Sequence, residues 1–125
     1  MTYLEAEREL VMFLGEILEL EPDREIFAGE LPDGVTEGIT VDLTEGKPAT
    51  LTESNAFTCC VTGHCLSRKT CRNHAFAITS KLPVYGKNGL LSVNLTENTP
   101  LKFKFDDKID GKIHTFTLEV DITFI

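Results

Sequence analysis

From His114 to Phe124 the chain alternates with a period of two. His114, Phe116, Leu118, Val120, Ile122 and Phe124 fall on one side of an extended strand. Thr115, Thr117, Glu119, Asp121 and Thr123 fall on the other. Successive side chains of a strand point to opposite faces, so this segment builds a sheet with one apolar and one polar face. The apolar face needs a cover, and the rest of the chain has to provide it.

Two segments have the spacing for that task. Tyr3, Leu10, Leu14, Ile17 and Leu18, widened by Val11 and Phe13, recur at helical spacing, which buries one face of a helix. Thr2-Tyr-Leu-Glu5 has the form of a capping box at its start. Pro22 disfavours helix at Glu21, so the helix stops near Leu20. Glu16, Glu19 and Glu21 crowd its C-terminal end, where the helix dipole disfavours anions. Packing must therefore hold it in place. The second helix, over 67–82, is capped by Ser67 and ended by Pro83. Its narrow apolar face consists of Cys71, Ala75, Ile78 and Leu82.

Between and after these helices the pattern is that of strands. Glu25 to Leu31 reads as a short strand closed by the turn Pro32-Asp33-Gly34. Ile39, Val41 and Leu43 alternate with Thr40 and Asp42, and Phe57, Cys59 and Val61 with Thr58, Cys60 and Thr62. Residues 44–55 read as an exposed polar loop, of the length that often makes contacts. Asn88-Gly89 predicts a hairpin between Val84-Tyr85 and the run Leu90 to Leu95. Leu101, Phe103 and Phe105 alternate with Lys102 and Lys104 ahead of the turn at Asp110-Gly111. The expected class is α+β: one antiparallel sheet with two helices packed on it, in the order α-β-β-β-α-β-β-β. A length of 125 residues allows a single domain over 1–125.

Charge is divided along the chain. Residues 1–62 hold fourteen acids and three bases, a net -11, and residues 63–125 hold six acids and nine bases, a net +3. A net charge of -8 argues against sequence-specific binding of nucleic acid, since little counterion release is available. The longest apolar run, Leu10 to Leu14, is too short to cross a bilayer. Glu5, Glu7 and Glu9 stand where a secretory signal needs bases and an apolar stretch, so a soluble cytosolic product is expected. Arg68, Lys69 and Arg72 crowd the first turn of the second helix, against the dipole. Solvent screening accounts for them at a cost of a few tenths of a kcal/mol. A sharper hypothesis has them meet carboxylates from the acidic first half of a neighbouring subunit.

Cys59, Cys60, His64, Cys65, Cys71 and His74 form the one cluster with chemical potential. Zinc needs four converging ligands, which Cys60, Cys65, Cys71 and either His74 or His64 could supply. However, no paired Cys-x-x-Cys spacing is present, and the strand neighbours Cys59 and Cys60 point to opposite faces. A Cys65–His64 nucleophile lacks an identifiable third group. Reduced thiols, in the core or half-exposed, are the better expectation. No phosphate loop, nucleophile elbow or His-Glu-x-x-His is present. The sequence thus leads to the expectation of no enzyme, with no catalytic, cofactor-binding or metal-binding residues.

Several phrases in order carry a family resemblance. They are the N-terminal helix, Ile26-Phe27-Ala28-Gly29-Glu30-Leu31-Pro32 leading into Ile39 to Leu43, the strand Ala56 to Gly63 with its basic connection into helix 67–82, and Asp106 to Gly111 turning into strand 112–125. Taken together, the chain resembles the tail terminator and minor capsid proteins of tailed bacteriophages and prophages. The cysteine-rich stretch Cys59 to Cys71 is not part of that resemblance. The resemblance implies a structural protein of the virion, made in the bacterial host cytoplasm. It implies self-association into a ring, commonly hexameric, that ends tail-tube growth and joins tail to head, with tail-tube and head-completion proteins as partners. Sheets side by side around a channel would let acidic side chains repel the passing DNA. Loop 44–55 and the N-terminal helix are the expected contact surfaces. Two other readings remain: a zinc- or thiol-dependent module built on the Cys/His cluster, and an unrelated α+β binding domain with a pocket under its helices.

Overall fold

The computed structural model describes residues 2–47, 55–87, 89–96, 101–106 and 113–124. The elements are α1 (Tyr3–Leu18), β1 (Ile26–Ala28), β2 (Gly38–Lys47), β3 (Asn55–Cys65), α2 (Arg68–Lys81), β4 (Val84–Lys87), β5 (Leu90–Leu95), β6 (Lys102–Asp106) and β7 (Ile113–Phe124). The class is α+β. The expected order is met when the hairpin β4–β5 is taken as one unit.

The alternating segment seen in the sequence is β7, and the sheet is built around it. β3 pairs with it along one side, from Asn55↔Phe124 to Cys65↔His114. Its other side is shared: β6 takes the first half (Phe103↔Phe116) and β5 the second (Val93↔Ile122). The strand order is β1-β2-β3-β7-β5-β4, with β6 beside β7. On β7, Phe116, Leu118, Val120, Ile122 and Phe124 are buried, while Thr115, Thr117, Glu119, Asp121 and Thr123 are not. Leu10, Leu14 and Val11 of α1 and Cys71, Ala75 and Ile78 of α2 join that apolar side in one core. Both helices thus lie on the same face, and no described element covers the other.

That open face is tied together by hydroxyls. Asp121 Oδ1 accepts from Thr58 Oγ1 (2.9 Å) and Thr96 Oγ1 (3.0 Å), and Ser92 and Thr123 share a hydrogen bond of 2.6 Å. Threonine suits such a surface because its branched Cβ favours extended backbone.

Two features depart from expectation. β1 is shorter than Glu25 to Leu31 and pairs with β2 in parallel, Ile26↔Ile39. The Ile39 N–H donates to the Glu25 carbonyl and the Gly29 N–H to that of Val41, a parallel ladder. The turn at Pro32 does form, closed by the Val35 N–H on the Pro32 carbonyl (3.1 Å). It only folds the connection back, so that β2 starts beside the start of β1. The polar loop also begins later than expected, because residues 44–47 continue β2 and Asn55 opens β3. Residues 48–54, Asn88 of the hairpin signal and residues 107–112 of the Asp/Gly turn lie outside the described residues.

A bulge between Leu43 and Glu45 breaks the β2–β3 register. Glu7 Oε2 accepts the Leu43 N–H there at 3.0 Å, fastening α1 to β2. Bulges leave a strand group without its ladder partner, and here a helix carboxylate takes one up. Both expected caps are present: Thr2 Oγ1 accepts from the Glu5 N–H (3.2 Å) and Ser67 Oγ from that of Thr70 (3.4 Å).

Candidate functional site

Two places bring functional side chains together: the Cys/His cluster at the junction of β3 and α2, and a basic groove between α2 and β6.

In the first, strand alternation separates the thiols. Cys59 and Cys65 are buried on the core side of β3, and Cys60 is half-exposed on the other, where its Sγ meets Thr62 Oγ1 at 3.7 Å. Cys71 is buried on the inner face of α2 and shares a hydrogen bond with Cys65. All four cysteines are free. Burial pushes the Cys59 thiol up to about 12, aided by the carboxylates of Glu7, Asp42 and Asp121 and by Cys60. Cys65 is also pushed up to about 12, by burial and then by Cys71 and Glu37. Burial raises Cys71 as well, against the lowering pull of its hydrogen bond to Cys65 and of Arg72. A nucleophile or metal ligand needs the thiolate, and these surroundings hold the thiol.

His64 and His74 line a cavity of about 270 Å³ with Glu25, Glu37, Cys65 and Thr70. The Glu37 carboxylate accepts the Leu66 N–H at 2.9 Å. Burial lowers the pKa of His64. Burial also lowers that of His74, outweighing Glu37 and Glu25, which raise it. Among the described residues, no three His, Cys, Asp or Glu side chains converge as a metal-holding group.

The two lowered imidazoles predict a pH effect of definite sign. As pH falls through 6.5 the unfolded chain takes up protons that the folded chain still refuses, so stability present above 6.5 is lost. The urea midpoint is expected to fall between pH 7.5 and pH 5.5. The double variant His64→Gln/His74→Gln flattens that slope. An equal slope in the variant would assign the effect to other groups.

In the second place, β6 lays Phe103 and Phe105 beside the first turns of α2. The Arg72 guanidinium carbon lies 4.1 Å from the Phe103 ring centre, a cation–π contact. Phe76 meets Phe103 edge-on at 6.0 Å, and Phe105 tilts over the His114 ring at 4.5 Å. Arg68, Arg72, Phe103, Lys104, Phe105 and His114 line a cavity of about 340 Å³. Phe105 is 50% exposed and Phe76 53%. Arg72 Nε is buried and has no hydrogen-bond partner among the described residues. Among the described residues, the ion pairs are Arg8–Asp23 at 2.8 Å and Arg24–Glu21 at 3.7 Å, both away from the groove. The groove can take an anion with an apolar portion: guanidinium and ammonium groups for the charge, phenyl rings for the rest.

Of the three bases singled out in the sequence, the structure brings Arg68 and Arg72 into the groove, whereas Lys69 is exposed and does not line it. Sequence reasoning missed the aromatic floor. Phe105 alternates with Lys104 as a core residue does, but it stands half outside the core.

No helix among the described residues is long and apolar enough to cross a membrane. No family model matches the chain, and no curated protein does. Among solved structures, the chain is similar to a chain of the "Virion of native gene transfer agent (GTA) particle". The two are 15% identical, the alignment covers 97% of this chain and 89% of that one, and the TM-score is 0.46.

Proposed function

We propose that the protein is a non-enzymatic structural subunit of a tailed-phage-like particle. Copies associate into a ring at the head-proximal end of the tail, end tube growth and join tail to head. Its partners are other copies of itself, the tail tube and head-completion proteins. The family resemblance in the sequence supports this reading, and so do thiols held protonated.

The observation that carries it is the two-sidedness of the sheet. Helices occupy one face, and the other is left polar and uncovered across β2, β3 and β7. Set side by side around an axis, such faces make a smooth bore. Between residues 56 and 64 of β3, and between 115 and 123 of β7, this face carries Glu119 and Asp121 and no lysine or arginine. A DNA backbone meeting hydroxyls and carboxylates gains no counterion release and can slide. Lys102 and Lys104 pair with Thr117 and Thr115 and so share the face at its β6 edge. The acidic character is therefore confined to the β2–β3–β7 part.

The reading is tested by deleting the gene from a particle-producing gene cluster and imaging the products. Tails without the protein are expected to be overlong and headless, and restoring it returns uniform tails capped by an annulus. Normal, head-bearing tails in the deletion would end the proposal.

A further inference from the structure

We propose that the groove between α2 and β6 receives the outward ridge of α1 from a second copy of this chain. The inference takes its premise, self-association, from the ring reading above and adds the surfaces that make the contact.

The groove is built for an incoming carboxylate. Arg68, Arg72 and Lys104 converge on it, and among the described residues none of them is paired with a carboxylate. Contact with the Phe103 ring restrains the Arg72 guanidinium, so less freedom remains to be lost on binding. Its buried Nε–H has no acceptor among the described residues. A buried donor without a partner is costly, and an acceptor brought in from outside removes that cost. Arginine and aromatic side chains sharing one pocket are also the composition typical of strong contact points between proteins.

The ridge has the matching chemistry. Glu5, Glu9, Met12 and Glu16 recur at i, i+4, i+7 and i+11 along α1, and Glu9, Met12 and Glu16 border one surface depression. Met12 is 42% exposed, an adaptable apolar group set between carboxylates. It suits the exposed ring of Phe105, and its neighbours suit the cations around that ring.

Placement decides the symmetry. α1 packs beside α2 and over β1 and β2, reaching β5, and its outward ridge is a different surface from the groove at β6. One surface fitting a different one is a heterologous contact, which repeats from copy to copy until it closes. The division of charge between the two halves of the chain is then the sequence-level trace of two complementary surfaces on one subunit.

A reciprocal charge swap tests the pairing, with self-association followed by sedimentation velocity at low and high salt and folding checked by circular dichroism. Arg68→Glu/Arg72→Glu and Glu5→Arg/Glu9→Arg are each expected to weaken association at least tenfold. Arg68→Glu/Lys104→Glu, which leaves the Arg72 stacking intact, is expected to do the same. An equimolar mixture of the first two variants regains association, because each acidic ridge now finds a basic groove and each basic ridge an acidic one. Wild-type protein that stays monomeric at millimolar concentration in low salt would overturn the inference. So would variants that associate like wild type, or a mixture that stays apart. Annuli that form despite the swaps would refute these surfaces and leave the ring standing. Swap-dependent association into open chains or dimers would uphold the surfaces and refute the ring.

Discussion

Gly63→Ala is expected to destabilise the protein by about 3 kcal/mol, the upper end of what overpacking a core costs. Gly63 lies in the middle of the sheet, paired with Phe116 across β3 and β7. A Cβ at Gly63 would overlap the Phe116 ring. That ring is fully buried and has no room to retreat. The missing side chain on β3 is thus the space that the Phe116 ring of β7 occupies. Urea denaturation measures the loss. The mechanism is tested by Gly63→Ala/Phe116→Leu, in which the ring that the methyl meets is gone. This double variant is expected to cost less than the sum of the two single changes by about 1 kcal/mol or more, as coupled neighbours do. Strictly additive losses would mean that the two residues do not share the space.

Leu10→Ala is expected to cost about 3 kcal/mol, within the range for emptying a buried leucine site. Leu10 is fully buried in the α1 face that meets the sheet. The rest of α1 does little to keep it helical: no base stands in its last turn, and Glu16 and Glu19 sit at the negative end of its dipole. Those acids cost a few tenths of a kcal/mol each. Burial outweighs them several-fold, so packing holds the helix. A loss below about 1 kcal/mol for Leu10→Ala would reverse that order and shift the weight to tethers such as the Glu7 carboxylate on the Leu43 N–H.

The groove shows why one part of the candidate site was legible in the sequence and another was not. Arg68, Lys69 and Arg72 stood out because three cations in the first turn of a helix violate a local electrostatic rule. Their aromatic partners gave no such signal. Phe103 and Phe105 sit in an alternating segment that reads as an ordinary half-buried strand, and only the pairing of β6 with the first half of β7 carries them to α2. For the Cys/His cluster, the opposite facing of Cys59 and Cys60 was legible from strand period alone. The meeting of Cys65 with Cys71, across the turn from β3 into α2, was not.

From the chain by itself came everything governed by local period: the alternation of residues 114–124, the helical stripes of α1 and α2, their caps, and hence an α+β class with one apolar sheet face. A side chain's face follows from its position in a regular backbone, and neighbouring residues settle it among themselves. The parallel β1, the sharing of one side of β7 between β5 and β6, the fit of Phe116 over Gly63 and the stacking of Arg72 on Phe103 came only with the tertiary structure. Each joins segments far apart in the chain, so each depends on which strand edges remain free once the others have paired, a competition that no local pattern encodes.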